Sequence, residues 1–310
     1  MRNPTRLAIA GVPLVLLLAA CGGGEDPYAP SGEGEGEGEG EGGGGGGPIV
    51  VGSANFPEST LLAQIYAQAL EAEGIEVETQ LDIGSREVYY DQIAEGNLSV
   101  FPEYNGALLF HLDPEATSGD TEATNEAVRA ALPDSLEILE SSPAENKDSI
   151  TVTRETAEEE DLESIADLAD AAGDMTLGAP AEFETRTQGV PGLADVYGVE
   201  FGEFRPLEGN LLVEGLRGGD VQAANLFTTD PAFTSGEFVA LEDTENLFGS
   251  QNVTPLINAE AVDQEARDVL NAVSAELTTE ALTELDSRVQ VDHEEADEVA
   301  ADWLAEAGLA

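Results

Sequence analysis

Five short stretches of this chain gather small, amide, aromatic and ionised side chains at close spacing. They are GSANFPES at 52–59, IGSREVYY at 83–90, FPEYNGALL at 101–109, GAPAEFETR at 178–186 and NLFTTDP at 225–231. That mixture suits recognition of a small molecule, with rings for bulk and a few polar groups to orient it. It does not suit bond making. The sequence holds no Ser or Cys nucleophile motif, no metal-ligand spacing and no phosphate-cradling glycine loop, and His111 and His293 stand far apart. Carboxylate pairs are common in so acidic a chain and carry little information about acid–base work. The chain reads as a binding protein with no catalytic residue, no metal and no cofactor.

Stepping outward from these stretches, each follows an apolar run. PIVVGSAN reads as a buried strand at 49–51 turning into a loop. STLLAQIYAQALEAEG reads as an amphipathic helix, with Leu62, Ile65 and Ala69 near helical spacing and Gly74 as a stop. IEVETQLDI alternates apolar and polar residues as a second strand, SREVYYDQIAEG is helical, and LSVFPEY is a third strand ending in a loop. Strand, helix, strand, helix, strand is the cadence of a parallel sheet covered by helices. SITVTRE, MTLGAP, VEFGEFRPL, VQAANLFTT and QNVTPLIN continue as strands, with DLESIADLADAAG helical among them. The run 265–290 and the segment EADEVAADWLAEAGL read as helical throughout, with Trp303 and Leu304 on the last apolar face. In open α/β sheets ligands bind beyond the carboxyl ends of the strands, which is where the five stretches fall.

The charge balance excludes some partners. Eleven basic residues against 64 acidic ones give a formal net charge of −53. Such a surface repels phosphate backbones, so nucleic acid is not a partner, and it offers no polybasic face to anionic lipid. With 41% hydrophobic residues, the chain has an acidic shell over an ordinary core. Shells of this kind suit very salty surroundings, where screening suppresses self-repulsion, so a halophilic source is expected.

Cys21, the single cysteine, ends an apolar run. Arg2 and Arg6 supply a positive start, 7–18 the apolar stretch, and Leu18, Ala19 and Ala20 lead to a cleavage point. The pattern resembles the lipobox of bacterial lipoproteins: a signal peptide at 1–20, then a cysteine that carries lipid. The apolar run is too short for a membrane span, which needs about 20 residues. From 21 to 48 the chain is a Gly/Glu-rich flexible tether, in which Glu33, Glu35, Glu37, Glu39 and Glu41 keep it solvated. The expected location is the outer face of the cytoplasmic membrane.

Several blocks carry a family resemblance: SREVYY with PEYNG, PAENKDSITVT, FGEFRPLEGNLLVEGLRGGDVQAANLFTTDP and ALEDTENLFGSQNVTPLIN. From residue 49 to the C-terminus the chain resembles the substrate-binding proteins of osmoprotectant ABC transporters, the ProX and OpuC type, in their actinobacterial branch. These bind glycine betaine, choline, carnitine and related compounds. The resemblance implies an α/β, type II periplasmic-binding-protein fold with two lobes, a ligand cleft and two hinge crossings, near AENKDSITVT and QNVTPLIN. Lobe I would comprise 49–148 and 257–310, and lobe II 149–256. It also implies a small osmolyte as ligand, and an ABC permease and ATPase as partners. Alternatives are another small ligand on the same fold (an amino acid, ergothioneine, a polyol) or a ligand sensor for a membrane partner.

A quaternary ammonium donates no hydrogen bond, so aromatic faces recognise it, at about 0.5–2 kcal/mol per ring. A carboxylate needs donors, from backbone amides, side-chain amides or arginine. By resemblance, Tyr104 is a cage tyrosine, Asn146 lines the cleft and Ser85 stands near the ligand, while the other cage tyrosines fall on Asp148, Val213 and Gln251. Phe183 or Phe227 could supply a second ring, and Asp148 could face a cation or an N–H donor. Asn105, beside Tyr104, joins this set. Arg86 either holds a ligand carboxylate or pairs with Glu87 or Asp91, and Arg186 poses the same choice. Of Tyr89 and Tyr90, adjacent on a helix, at least one is core. Asn55 and Glu58 are expected to cap the first helix. Thr228, Thr229 and Asp230 form a turn or reach the cleft, with Asp230 structural.

Overall fold

The computed structural model describes residues 47–310. The expected leader, Cys21 and nearly all of the tether lie outside the described residues. In chain order come β1 (Ile49–Gly52), α1 (Pro57–Ala72), β2 (Val77–Gln80), α2 (Arg86–Ala94), β3 (Val100–Tyr104), α3 (Asn105–Leu112), α4 (Thr121–Ala131) and β4 (Leu136–Ile138). Next are β5 (Asp148–Thr153), α5 (Arg154–Glu159), β6 (Thr176–Ala179), α6 (Val190–Tyr197), β7 (Glu203–Pro206), α7 (Asn210–Gly218), β8 (Ala223–Phe227) and β9 (Phe238–Ala240). The chain closes with β10 (Val253–Asn258), α8 (Gln264–Glu276), α9 (Thr279–Gln290) and α10 (Ala296–Ala307).

The strands form two five-stranded sheets, ordered β2-β1-β3-β10-β4 and β7-β6-β8-β5-β9. Within each, the strands joined by helices run parallel, as the cadence predicts. One strand in each runs the other way: β10 is antiparallel to β3 and β4, and β5 to β8 and β9. These are the strands by which the chain enters one lobe from the other, so they arrive opposite to the local direction. All of β10 belongs to the first sheet, which puts the return crossing just before Val253 and not after residue 256.

The two crossings lie side by side. Glu145 and Asn252 form an antiparallel bridge, with Asn146 N–H donating to the Gln251 carbonyl at 3.0 Å and Val253 N–H to the Ala144 carbonyl at 3.0 Å. Each lobe therefore hangs on a two-stranded ribbon. Gly106, at the start of α3, packs so tightly on the return crossing that a Cβ there would lie 2.1 Å from the Ser250 carbonyl oxygen.

In the first lobe α1 buries a wide stripe that includes Leu61, Leu62, Ile65, Tyr66 and Leu70, against the C-terminal helices. Pro57 suits its first turn, and the chain leaves it through Gly74 at φ 83°. Tyr66, fully buried, places its hydroxyl 3.1 Å from that of Ser274 on α8. The second lobe has its own core around Ile150, Val152, Leu177, Leu193 and Phe248.

Three expectations change. β3 passes straight into α3 without a loop. Residues 161–173 form two short 3₁₀ segments, Ile165–Asp170 and Ala172–Asp174, because the buried Leu162, Ile165 and Leu168 are three apart and match three residues per turn. The run 265–290 breaks at Leu277, whose carbonyl accepts from Ala144 N–H at 3.0 Å on the first crossing, while the Thr278 hydroxyl caps α9 by accepting from Ala281 N–H.

Trp303 on α10 joins the core that α1 builds. Trp303→Ala should destabilise the protein by about 3–5 kcal/mol. Chemical denaturation checks this, and an unchanged midpoint would mean that α10 adds nothing to that core.

Candidate functional site

Between the two sheets lies a cleft of about 1300 Å³, measured out to its solvent-open mouth. The loop after β1, the starts of α1 and α2, the end of β3 and residues of α9 line it from the first lobe. Pro180–Arg186, Glu208–Leu212 and Asn225–Asp230 include its lining from the second, and Asn146 reaches in from the crossing.

Its aromatic wall runs across both lobes. The Phe56 ring lies 6.4 Å from that of Tyr104 and 5.7 Å from that of Phe227, inclined by 29° and 28°. Phe183, almost wholly buried, adds another ring to the lining, as do Tyr89 and Phe101. Phe56 occupies the N-cap position of α1 without a side-chain cap bond. Ser, Thr, Asp or Asn would serve the helix better there, so the aromatic residue is the local signal that another demand governs the position.

Glu58, in the first turn of α1, is the polar centre. Its Oε1 accepts from the Tyr104 hydroxyl and from Asn146 Nδ2 at 2.7 Å, and its Oε2 from the Thr229 hydroxyl at 2.7 Å. Thr229 N–H in turn donates to Asn146 Oδ1 at 3.3 Å. One carboxylate thus binds the first lobe, the crossing and the second lobe together. Burial first, and the Glu58 charge second, push the Tyr104 phenol well above its ordinary value, which keeps it a donor. Neither Asn55 nor Glu58 makes the expected cap bond: Ala54 N–H is instead taken by the Ser59 hydroxyl at 2.9 Å.

Arg86 lines the cleft, but its guanidinium grips Glu103 with two bonds of 2.8 Å. Neither Glu87 nor Asp91 is its partner. Tyr89 Oη adds a bond to Glu103 at 2.6 Å and Tyr104 N–H another at 2.9 Å. Burial alone would raise the Glu103 carboxyl, yet Arg86 and these donors hold it below its usual value. Tyr89 is the core member of its pair, and Tyr90 is half-buried with its ring 4.8 Å from that of His111.

The remaining sequence-derived residues divide. Ser85, Asp148, Phe183 and Gln251 line the cleft. Burial raises the Asp148 carboxyl, opposed by Asn225 Nδ2 at 3.0 Å and by the more distant Arg186 and Arg86. Gln251 has both ends engaged, with the Phe248 carbonyl at 2.8 Å and Ala107 N–H at 3.1 Å. Asn105 is outside the lining: its Oδ1 accepts from Asn252 N–H at 2.9 Å and its Nδ2 donates to Asn125 at 3.0 Å, supporting the return crossing. Thr228 is outside as well, its hydroxyl accepting from Lys147 N–H at 2.9 Å, and the neighbouring Thr229 is the residue that faces in. Val213 is packed within the second lobe. Asp230 does both jobs weighed for it, capping the turn Pro231–Ser235 through Ala232 N–H at 2.8 Å and lining the cleft.

At the mouth, Arg186 of the second lobe holds Glu87 of the first with two bonds of 3.1 Å. Burial works to raise Glu87, but Arg186 outweighs it and brings the carboxyl down to about 2.

Two α/β lobes on a double crossing, meeting over an aromatic and carboxylate-lined cleft, define a solute receptor of the periplasmic-binding-protein class. The chain belongs to the family described as the substrate binding domain of ABC-type glycine betaine transport systems, whose model matches residues 47–306. It is therefore the solute-binding component of an ABC importer, a family that works outside the cytoplasm and carries no catalysis of its own. It is 28% identical to the glycine betaine-binding protein YehZ of Escherichia coli (strain K12), over 84% of this chain and 91% of that protein. A carnitine transport binding protein of Listeria monocytogenes is 21% identical, over 83% of this chain and 85% of its own length. Among solved structures, a glycine betaine/carnitine/choline ABC transporter protein superposes with a TM-score of 0.68 at 21% identity, covering 84% of this chain and 99% of that one.

Arg186→Ala should loosen closure across the mouth, weakening ligand binding by a factor of about two to five, as befits a partly exposed pair. The effect should shrink in molar salt. Glu87 is depressed while paired, so the contact stands above the ordinary value of 4.5 and fades as pH falls towards 2. Small-angle scattering and calorimetry at two salt concentrations check this, and equal affinities in dilute buffer would remove the pair from closure.

Proposed function

We propose that this chain captures glycine betaine or a related quaternary ammonium osmolyte and delivers it to its permease by closing the two lobes over it. The observation that carries the reading is the row Tyr104–Phe56–Phe227, which spans the cleft from lobe to lobe. Aromatic faces attract a cation that has no proton to donate, and closure strengthens the attraction by expelling water. A ligand that touches both lobes binds the closed form better than the open one, and this differential affinity drives closure. Tyr104 and Asn146, with Ser85, Asp148 and Phe183 around them, are the proposed ligand contacts. Arg86 and Gln251 shape the wall, and Asn105 and Thr228 act only by supporting it. The lobes turn on the ribbon formed by 144–147 and 250–253.

The acidic chain and the cysteine complete the reading. Cys21 carries lipid, the Gly/Glu-rich segment gives the receptor reach from the membrane surface, and the net charge of −53 fits a halophilic source. In a lipoprotein-processing bacterial host, Cys21→Ser should move the protein from the membrane fraction to the soluble one. Continued sedimentation with membranes would remove the lipid anchor from this account.

A thermal-shift panel of glycine betaine, proline betaine, choline, carnitine, ergothioneine, arginine and polyols, run in dilute buffer and in molar salt, tests the rest. Quaternary ammonium compounds should raise the melting temperature, and the protein alone should melt higher in molar salt. Tyr104→Ala should then weaken binding more than about tenfold through loss of a desolvated ring contact. A shift with polyols or arginine alone would overturn the ligand class.

A further inference from the structure

Beneath the aromatic row lies a carboxyl group that the binding scheme above leaves unused. Asp286, in the last turns of α9, lines the cleft and is 1% exposed. Its Oδ1 is the one fully buried side-chain oxygen or nitrogen without a hydrogen-bond partner among the described residues. Such an orphan is costly when nothing meets it, because its desolvation is not offset. Its neighbour Glu58 accepts from Tyr104, Asn146 and Thr229, and the Asp286 carboxyl also shares side-chain hydrogen bonds with Glu58 and Gln290.

No cation among the described residues that line the cleft compensates Asp286. Arg86 is committed to Glu103, Arg186 to Glu87, and Arg288, two residues along α9, is turned away onto Glu294 and Asp302, the latter on α10. The groups that face it are acids and neutral dipoles: Glu58 from α1, the Tyr104 phenol from β3, Asp230 from the segment before the turn Pro231–Ser235, and Gln290 from its own helix. A buried carboxyl in the cleft lining, bonded to a second carboxyl and with one oxygen still unmet, is placed to accept a positive charge arriving from the cleft.

We propose that Asp286 is a specificity-determining residue of this receptor, which receives the cationic head of the ligand and gives up its proton to solvent as the ligand enters. The inference rests on the osmolyte-binding reading above and names a group that the reading does not require. In the empty cleft, burial first and the Glu58 charge second hold the Asp286 carboxyl well above its ordinary value, so it carries a proton. A cation beside it favours the charged form. The proton passes to buffer, the ligand stays chemically unchanged, and the charge balances as one cation in and one proton out. Affinity for a cationic or zwitterionic ammonium therefore rises with pH up to the raised value of Asp286 and is level above it. An uncharged polyol gains nothing from this group.

Calorimetric titration of the intact receptor with glycine betaine and with choline, in buffers of low and high ionisation enthalpy between pH 5 and 8, reads the released proton directly. The wild-type protein should release up to one proton per ligand, with affinity increasing as pH climbs towards the raised value of Asp286. Asp286→Asn keeps the shape of the side chain and should bind at least about tenfold more weakly, with no proton release and a flat pH profile. Ligand bound with buffer-independent heat by wild type, or an Asp286→Asn receptor of equal affinity and pH profile, would overturn the role of Asp286 while leaving the osmolyte reading intact. No heat with either ammonium compound would overturn both. Asp148→Asn, which removes another raised carboxyl from the cleft lining, should keep the proton release, and its loss in that variant would take the proton away from Asp286 even where Asp286→Asn does not fold.

Discussion

A carboxylate buried without a cation needs several donors at once, and Glu58 obtains them from three separate parts of the chain. Tyr104 comes from the first sheet, Asn146 from the crossing and Thr229 from the second lobe. Each donor reaches Glu58 only if the β3 end, the hinge ribbon and the β8 end converge on the start of α1. Aromatic stacking depends on the same convergence, because Phe56 stands two residues before Glu58 and meets Tyr104 on one side and Phe227 on the other. The helix start gives up a side-chain cap to make this possible.

The hinge supplies the other half of the arrangement. Two antiparallel crossings share backbone hydrogen bonds, so a rotation of one lobe must bend both strands together. The close approach of Gly106 to Ser250 and the polar group of Asn105, Asn125, Ser250 and Asn252 brace the return strand. Rigid lobes on a narrow ribbon convert ligand contacts, each of modest strength, into a change of shape that a permease can read. Arg186 and Glu87 close the mouth at the far edge, where their partial exposure makes them sensitive to salt.

Electrostatics within the cleft differ from those of the surface. Outside, the acids face water and their repulsion is screened. Inside, burial makes every unpaired charge expensive, and the arginines near the cleft are spent on structural partners. The interior is left with aromatic faces, neutral donors and carboxyl groups. That set favours a positively charged head, with Arg86 held on Glu103 and not offered to a ligand carboxylate.

The sequence by itself determined the local pattern. The apolar runs and glycine stops located β1, α1, β2, α2 and β3, and the five polar loops at strand ends marked where a ligand would sit, because hydrophobic period and turn chemistry act over a few residues. The family likeness singled out Tyr104, Asn146, Ser85 and Asp148, with Phe183 weighed as a further ring, and all five reach the cleft lining. Partner choice was not legible in the sequence. Arg86 finds Glu103 at a separation of seventeen residues, Arg186 finds Glu87 at ninety-nine, and Thr229 finds Glu58 at 171. Only the tertiary structure decided those pairs, the direction of β5 and β10, and the position of Asp286 under the cleft, since a side chain's partner is set by which strand ends the two crossings bring face to face.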